Sequence, residues 1–264
     1  MIADVSDGYW IFYEGPTYGK PDHEAYWHWF SRANHAIADG QFAFQHEPRE
    51  TPDPIETTAV ECRTAKPQVA VYGMKPRMHS LIDQTGRFEV HEFRGASPEY
   101  LANFDVLILQ NFNVSLDESH PFLEALRNYV NRGGGVLFAH DTVWFMDSPF
   151  PAIAERAVPQ HDTSVEAGRH VVDVDLVIDT KHPATASLEE STRFVPEFRD
   201  HMIFASGPEG AILIRNALGD AACVIGQHGN GRVVFSGSYY GYSRDLQGHE
   251  RSVFLAILDW LAAQ

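Results

Sequence analysis

One histidine stands where several α/β enzyme folds place their nucleophile. Three consecutive glycines, 133–135, end a helical pattern, the apolar run 136–139 follows, and His140 comes next. Glycines are typical of helix ends, and ligands bind beyond the carboxyl ends of strands in open α/β sheets. We therefore expect His140 at a strand-to-helix turn on the rim of a parallel sheet. There it contacts a ligand or takes part in chemistry, unless it is a histidine held only by hydrogen bonds to the backbone.

Four other polar residues are candidates to act with His140. Asn111 follows a buried strand and could bind a ligand hydroxyl, although asparagine at such a point also forms turns. Asp141 is either a ligand contact or the N-cap of the next helix. Glu197 and His201 belong to one compact polar group, which makes them candidates for acid–base catalysis together with His140.

Aromatic residues offer a second kind of contact. Tyr239, Tyr240 and Tyr242 follow the last predicted strand, and such rings can form the floor of a sugar site. We take Tyr240 as the ligand-binding candidate. A place in the core or at an interface is the alternative for all three.

The histidines do not form a recognisable metal motif. The chain has 14 of them, but none occurs in H-E-x-x-H or a comparable two-ligand spacing. A site assembled from distant loops, such as His140 with Glu197 and His201, is the open alternative. We predict no metal and no other cofactor.

Composition limits the function classes. With 264 residues, 44% of them hydrophobic, the chain can bury one large core. A formal net charge of −16 argues against a nucleic-acid partner, because phosphate binding needs a basic face. Cys62 and Cys223 are the only cysteines, which excludes a disulfide framework and favours a reduced, cytoplasmic protein. No apolar run approaches membrane-spanning length, so we expect no membrane partner; export stays open if the chain is a fragment.

Alternating strands and helices position the candidate residues from residue 68 onward. Apolar runs predict strands at 69–72, 88–93, 105–111 and 136–139. A capping box at 115–118 predicts the start of a helix whose apolar stripe is Phe122, Leu123, Leu126, Tyr129 and Val130. This βαβ rhythm predicts an α/β fold with a mainly parallel sheet and helices on both faces.

The second half is richer in strands. Alternation predicts a strand over 170–178 and an apolar run another at 211–214. Strands 223–226 and 232–236 flank a His-Gly-Asn-Gly turn around His228 and must form a hairpin. The last helix, 251–262, carries an apolar side that should dock on the sheet.

The N-terminal region differs from the rest. An aromatic run at 7–14 predicts one strand, and Asp22 can cap a helix that ends near Gly40. The prolines between 46 and 67 indicate a linker. We therefore divide the chain into a strand-helix arm at 1–45, the linker at 46–67 and an α/β domain at 68–264.

Several of these motifs together resemble a known group. The strand ending at Asn111, the glycine-rich helix end, His140, His182-Pro183, Gly229-Asn230-Gly231-Arg232-Val233 and the terminal Ile257-Leu258-Asp259-Trp260 are similar to ThuA-like (trehalose-utilisation) proteins of the class I glutamine amidotransferase-like superfamily. The resemblance covers about residue 68 to the C-terminus. It implies a flavodoxin-like sheet and, by analogy, a link to carbohydrate metabolism. True amidotransferases of this superfamily carry a cysteine at the turn where this chain has His140, so the resemblance does not extend to glutamine hydrolysis.

A second, shorter resemblance concerns residues 7–40. This strand and helix look like the end of a glycosidase-type (β/α)8 barrel, a fold that amidotransferase-like domains follow in the β-galactosidase class. The likeness implies that the chain is the C-terminal part of a longer glycoside-processing protein. The alternative is an arm that packs its aromatic residues on the α/β domain.

Three functions follow as hypotheses. The first is a non-catalytic amidotransferase-like domain that supports assembly or ligand recognition in a carbohydrate-related protein, with an upstream barrel domain or a second copy as partner. The second is a ThuA-like enzyme that acts on a sugar or sugar derivative with His140 as general acid or base. The third is a protein-interaction module. A sugar or polyol is the expected ligand.

Overall fold

The computed structural model describes residues 66–112, 120–144, 148–157, 174–185 and 188–263, all within one compact unit, Thr57–Gln264. The predicted arm at 1–45, nearly all of the predicted linker and the capping box at 115–118 lie outside the described residues. The division into three segments therefore stays a prediction.

The described residues form one sheet of eleven strands with helices around it. The strands are β1 Gln68–Tyr72, β2 Glu89–Glu92, β3 Val106–Gln110, β4 Gly135–Ala139, β5 Ala154–Arg156, β6 Leu176–Ile178, β7 Arg193–Phe194, β8 Phe204–Ser206, β9 Ala211–Asn216, β10 Ala221–His228 and β11 Gly231–Ser236. The helices are α1 Pro76–Asp83, α2 Pro98–Leu101, α3 Pro121–Asn131 and α4 Gly248–Ala262. Two 3₁₀ turns cover His140–Trp144 and Pro183–Thr185.

Strand direction changes half-way across the sheet. β2, β1, β3, β4 and β11 lie side by side in that order and run parallel. β10 pairs antiparallel with β11, and β9, β6 and β7 continue the sheet antiparallel beyond it. Parallel neighbours need a long crossover, whereas β10 and β11 are joined by two residues, Gly229 and Asn230, which permit only a hairpin. The predicted parallel strands and the predicted hairpin are confirmed, but the sheet as a whole is mixed rather than mainly parallel.

Helices cover both faces of the sheet, as predicted. Neighbouring residues of each parallel strand point to opposite faces, so that Val106 and Ile108 join one core cluster while Leu107 and Leu109 join the other. Helices α1 and α4 pack on the first cluster, and α2 and α3 pack on the second. The apolar stripes predicted for α3 and α4 are buried in full.

Helix α3 begins later than the sequence pattern predicts. Its first residue is Pro121, and the imidazole of His120 caps it by accepting a hydrogen bond from the Phe122 N–H at 3.2 Å. Proline suits the first helical position because it has no N–H to satisfy and its φ is already helical. The capping box at 115–118 is therefore not the cap of this helix.

Candidate functional site

The ends of β3 and β4 carry two residues in an unusual backbone conformation. Asn111 has φ of +49° and His140 has φ of +52°, both in the left-handed region that residues other than glycine rarely adopt. His140 directly follows the last residue of β4 and opens the 3₁₀ turn. This confirms the predicted position of His140 at a strand-to-helix turn on the carboxyl rim. Such strained residues cluster where a fold presents side chains for function.

The imidazole of His140 is fixed by its two predicted neighbours. Its Nδ1 lies 2.9 Å from Asn111 Oδ1, and the Asp141 N–H donates to the same oxygen at 3.3 Å. Since Asn111 Oδ1 only accepts, Nδ1 carries the proton, and in a neutral ring the lone pair is then on Nε2. The Asp141 carboxylate lies 3.6 Å from the same Nδ1. The structure thus brings His140, Asn111 and Asp141 together.

Three aromatic side chains form a cluster next to His140, which we call the aromatic cover: Phe198, Tyr239 and Tyr242. The ring centres of Tyr239 and Phe198 lie 4.8 and 5.8 Å from the imidazole. Tyr242 packs on both at 4.7 Å, and Lys75 Nζ lies 5.7 Å from the centre of its ring. His140 is only 3% exposed beneath this cover, whereas Tyr242 is 40% exposed. The surface that a ligand would meet first is therefore aromatic.

Tyr239 has a polar link to the same group. Burial raises the pKa of the Tyr239 hydroxyl, the nearby Tyr242 and Asp141 raise it further, and a hydrogen bond with the Asn111 side chain lowers it by less. The phenol therefore stays protonated at neutral pH and can donate a hydrogen bond. Tyr239 and Tyr242 are two of the three tyrosines that the sequence indicated as possible ligand contacts. Phe198 was missed, because no local pattern pointed to it.

Buried polar side chains form hydrogen bonds between the strand ends next to His140. Gln110 at the end of β3 donates to the Tyr240 carbonyl at 3.1 Å and accepts from the Tyr240 N–H at 2.8 Å. Thr142 donates to the carbonyls of Leu109 and Ala139 and accepts from the Phe112 N–H. These bonds tie β3, β4 and the segment after β11 together, and so hold His140 rigidly.

Glu197 binds backbone groups of the segment that carries Tyr242. One of its oxygens accepts from the N–H groups of Ser243 at 3.1 Å and Arg244 at 2.9 Å. The N–H of Glu197 donates to the buried Glu250 carboxylate at 2.7 Å. Glu197 therefore anchors the cover, and these contacts do not support the acid–base role predicted for it. Glu250 at the start of α4 was missed, because an acidic residue in a first turn ordinarily suits the helix dipole.

His201 and Tyr240 are buried away from the cover. His201 forms a β-bridge with Ser238, and its Nε2 lies 3.3 Å from Asn216 Nδ2. The Tyr240 ring packs on Phe254, and its hydroxyl lies 2.7 Å from Ser236 Oγ. Both are completely or almost completely shielded from solvent. The structure favours a place in the core for Tyr240 over the predicted ligand contact. The tyrosine next to His140 is Tyr239.

No thiol lies at the turn. Cys223 is buried in β10, where burial raises the pKa of its thiol far above the ordinary value. Cys62 lies outside the described residues. Among the described residues, no three or more histidine, cysteine or acidic side chains are grouped so that they could hold a metal ion. In the same part of the chain no helix has the length and apolarity to cross a membrane.

A cavity of about 380 Å³ lies at the other end of the sheet. Its lining includes His182, Trp260 and residues 225–227 of β10, which pair with the beginning of β11. β11 and β4 are parallel and paired in register, so the beginning of β11 lies beside the beginning of β4. His140 follows the end of β4, and the cavity therefore lies at the opposite ends of these strands. The cavity is therefore separate from the cluster around His140.

Comparisons with solved structures give the fold. A cytoplasmic protein from Salmonella typhimurium matches with a TM-score of 0.55 at 10% identity, over 75% of this chain and 100% of its own. A GMP synthase protein from Thermoplasma acidophilum matches with a TM-score of 0.52 at 12% identity, over 76% of this chain and 96% of its own. The chain shares their fold. A ThuA-like protein from Parabacteroides merdae matches with a TM-score of 0.49 at 17% identity, over 75% of this chain and 91% of its own.

No family model matches the chain, and no curated protein matches it either.

Proposed function

We propose that this chain is a non-catalytic amidotransferase-like domain that recognises a ligand in a carbohydrate-related protein. One observation carries the proposal: the turn that holds a cysteine in true amidotransferases holds His140, buried beneath aromatic rings and hydrogen-bonded to Asn111. A side chain so enclosed is suited to shaping a binding surface rather than to attacking a substrate.

A sugar or polyol is the ligand that this surface suits best. Tyr239 and Tyr242 offer ring faces and hydroxyl groups, and Lys75 adds donors beside Tyr242. Rings bind the apolar faces of a sugar, and the hydroxyl and ammonium groups bind its oxygens. The net charge of −16 argues against a polyanion. An upstream barrel domain or a second copy of the chain remains our proposal for a macromolecular partner, since assembly was the other role expected of such a domain.

Calorimetric titration with glucose and sorbitol tests this proposal. Tyr242→Ala removes the most exposed ring of the cover, and we expect it to weaken binding at least about tenfold, since a stacked ring contributes on the order of 1 kcal/mol or more. Trp260→Ala is the control, because it removes an aromatic residue at the opposite edge. Equal affinity of Tyr242→Ala and the unaltered chain, or loss of binding in Trp260→Ala alone, would contradict the proposal.

A glutaminase assay tests the non-catalytic part. With no thiol at residue 140, the chain should release no ammonia from glutamine above background. Cys223→Ser should behave in the same way as the unaltered chain. Ammonia release that disappears in Cys223→Ser would overturn the proposal.

A ThuA-like enzyme acting on a sugar is the second candidate. It is favoured by the hydrogen bond from His140 Nδ1 to Asn111, which gives a neutral imidazole a proton acceptor at Nε2. If sugar turnover is found and His140→Gln abolishes it while binding persists, this candidate replaces the first. The third candidate, an interaction module, depends on the arm at 1–45.

We also assign the sheet to the flavodoxin-like class and the chain to the cytoplasm. The parallel order β2-β1-β3-β4-β11 corresponds to the 2-1-3-4-5 order of that class. A reduced, buried Cys223 supports the cytoplasmic assignment.

A further inference from the structure

Two acidic residues are linked by a hydrogen bond near the aromatic cover. Glu250, in the first turn of α4, is 4% exposed, and its Oε2 accepts the N–H of Glu197 at 2.7 Å. Glu197 Oε1 in turn accepts the N–H groups of Ser243 and Arg244. A chain of hydrogen bonds thus runs from α4 through Glu197 to the segment after Tyr242.

Each carboxyl group has one further oxygen that these bonds do not use. Glu197 Oε2 and Glu250 Oε1 are both buried and find no hydrogen-bond partner among the described residues. A buried carboxylate oxygen without a donor is costly, and the charge of the Glu197 carboxylate adds to the cost of a second negative charge on Glu250. One proton on Glu250 removes that charge.

The same two residues hold the aromatic cover. Phe198 directly follows Glu197, and Tyr242 directly precedes Ser243, whose N–H binds Glu197. The Phe198 and Tyr242 rings pack on each other at 4.7 Å, and Phe198 packs on His140. A change in the bonds of Glu197 therefore reaches both rings.

We propose that Glu197 and Glu250 form a proton-operated latch that keeps the aromatic cover closed over His140. With a proton on Glu250 the latch is closed. When the proton leaves, the buried Glu250 carboxylate lacks solvation and is repelled by the Glu197 carboxylate, which favours an opening that brings water to Glu250. This opening loosens the Glu197 anchor, and Phe198 and Tyr242 gain freedom to move away.

The charged surroundings set the pH at which the latch works. Burial is the largest influence on Glu250 and raises its pKa, the neighbouring Glu197 carboxylate raises it as well, and the Glu197 N–H and Arg244 lower it, to give a value of about 7. The phenol of Tyr240, which is protonated at this pH, also lies within electrostatic range of Glu250. The latch is accordingly closed below about pH 7 and loosened above it.

Only the consequence of the latch for ligand entry rests on the proposed function. The closing and opening themselves are properties of the Glu197–Glu250 pair and can be measured on the free chain. Amide hydrogen exchange followed by NMR reports them directly, because the N–H groups of Glu197, Ser243 and Arg244 are the donors in the latch.

The experiment compares protection factors of these three amides at pH 6 and pH 8 after correction for intrinsic exchange. In the unaltered chain we expect protection to fall roughly tenfold or more at pH 8. Glu250→Gln should keep high protection at both pH values, since its amide carbonyl can still accept from the Glu197 N–H and the side chain is neutral throughout this range. Glu209→Gln, which alters an exposed acid at the opposite edge, is the control and should behave as the unaltered chain does.

Two results would overturn the latch: pH-independent protection in the unaltered chain, or an undiminished pH step in Glu250→Gln. If Glu250→Gln does not fold, carboxyl ¹³C titration of the unaltered chain decides instead. A glutamate that titrates near pH 7 together with shifts of the Ser243 and Arg244 amides supports the latch, and its absence refutes it. A pH step with no sugar binding in any variant would refute the proposed function and leave the latch intact, while sugar binding without a pH step would do the reverse.

Discussion

At the scale of single residues, the decisive feature is how the chain fixes one imidazole. The positive φ of Asn111 and of His140 bring the amide oxygen and Nδ1 within 2.9 Å. A left-handed conformation costs a residue other than glycine on the order of 1 kcal/mol, so the surrounding bonds must impose it.

Substitution of Asn111 separates backbone strain from hydrogen bonding. Asn111→Gly loses the bonds to His140 and Asp141 but accepts φ of +49° without strain. Asn111→Ala loses the same bonds and keeps the strain, so we expect its free energy of unfolding to be lower than that of Asn111→Gly by about 1 kcal/mol. Urea denaturation measures the difference. Equal stability of the two variants would show that residue 111 bears no strain.

Glu250 should make stability depend on pH in an unusual direction. Its pKa rises from the ordinary 4.5 to about 7 on folding, so the folded chain holds a proton that the unfolded chain releases. The contribution of Glu250 to the free energy of unfolding is therefore largest below pH 4.5. It falls by on the order of 3 kcal/mol as the pH rises from 4.5 through about 7.

Glu250→Gln removes this dependence. It should raise the free energy of unfolding at pH 8 by on the order of 1–3 kcal/mol and change it little at pH 4.5. Denaturant titrations at the two pH values, with Glu209→Gln as the control, measure the effect. A Glu250→Gln variant that is less stable than the unaltered chain at pH 8 would contradict the assignment of a neutral Glu250.

At the scale of elements, the parallel half of the sheet places the candidate residues on one rim. The ends of β1 and β3 approach each other closely at this rim. A Cβ added to Gly73 would lie 1.8 Å from the Gln110 carbonyl oxygen. Gly73 also has φ of +76°, so no side chain fits there.

Gly73→Ala should therefore destabilise the chain far more than Gly86→Ala. Gly86 has a similar φ of +66°, but nothing lies within 4 Å of its added Cβ, so its substitution measures backbone strain alone. We expect the free energy of unfolding to fall by at least about 2 kcal/mol more for Gly73→Ala, because the backbone must shift at the rim. Thermal denaturation compares the two. Similar losses would mean that β1 and β3 do not approach this closely.

Apolar periodicity predicted the strands of the parallel sheet and the helices on its two faces. The position of His140 at the turn after β4 followed from this prediction. In the antiparallel half, the sequence predicted the hairpin and strands over 170–178 and 211–214, where β6 and β9 lie. The strands β5, β7 and β8 were not predicted, because two or three residues are too few to show a period. The aromatic cover could not be predicted as a unit. Phe198 and Tyr242 are far apart in the chain and meet only because Glu197 binds the segment after Tyr242.

At the scale of the whole molecule, the described residues close two cores on the two faces of one sheet. Every apolar stripe of helices α1 to α4 finds its partners within these clusters. We therefore expect a chain that starts at Lys66 to fold on its own and to unfold in one cooperative transition.

The truncated chain should have at least the solubility of the full chain. Circular dichroism during thermal unfolding and analytical ultracentrifugation measure both properties. A truncated chain that is unfolded at 25 °C would show that residues 1–65 belong to the same core, and would contradict the prediction of a separate arm.

The central claim is that the cluster of His140, Tyr239 and Tyr242 recognises a sugar or polyol without transforming it. Chemical-shift mapping of the uniformly ¹⁵N-labelled chain during titration with glucose and sorbitol tests it most directly. We expect saturable shifts of the amides around residues 111, 140 and 239–244, loss of these shifts in Tyr242→Ala, and an unchanged sugar spectrum after prolonged incubation. Shifts confined to the opposite edge around His182 and Trp260, no saturable shift, or conversion of the sugar would contradict it.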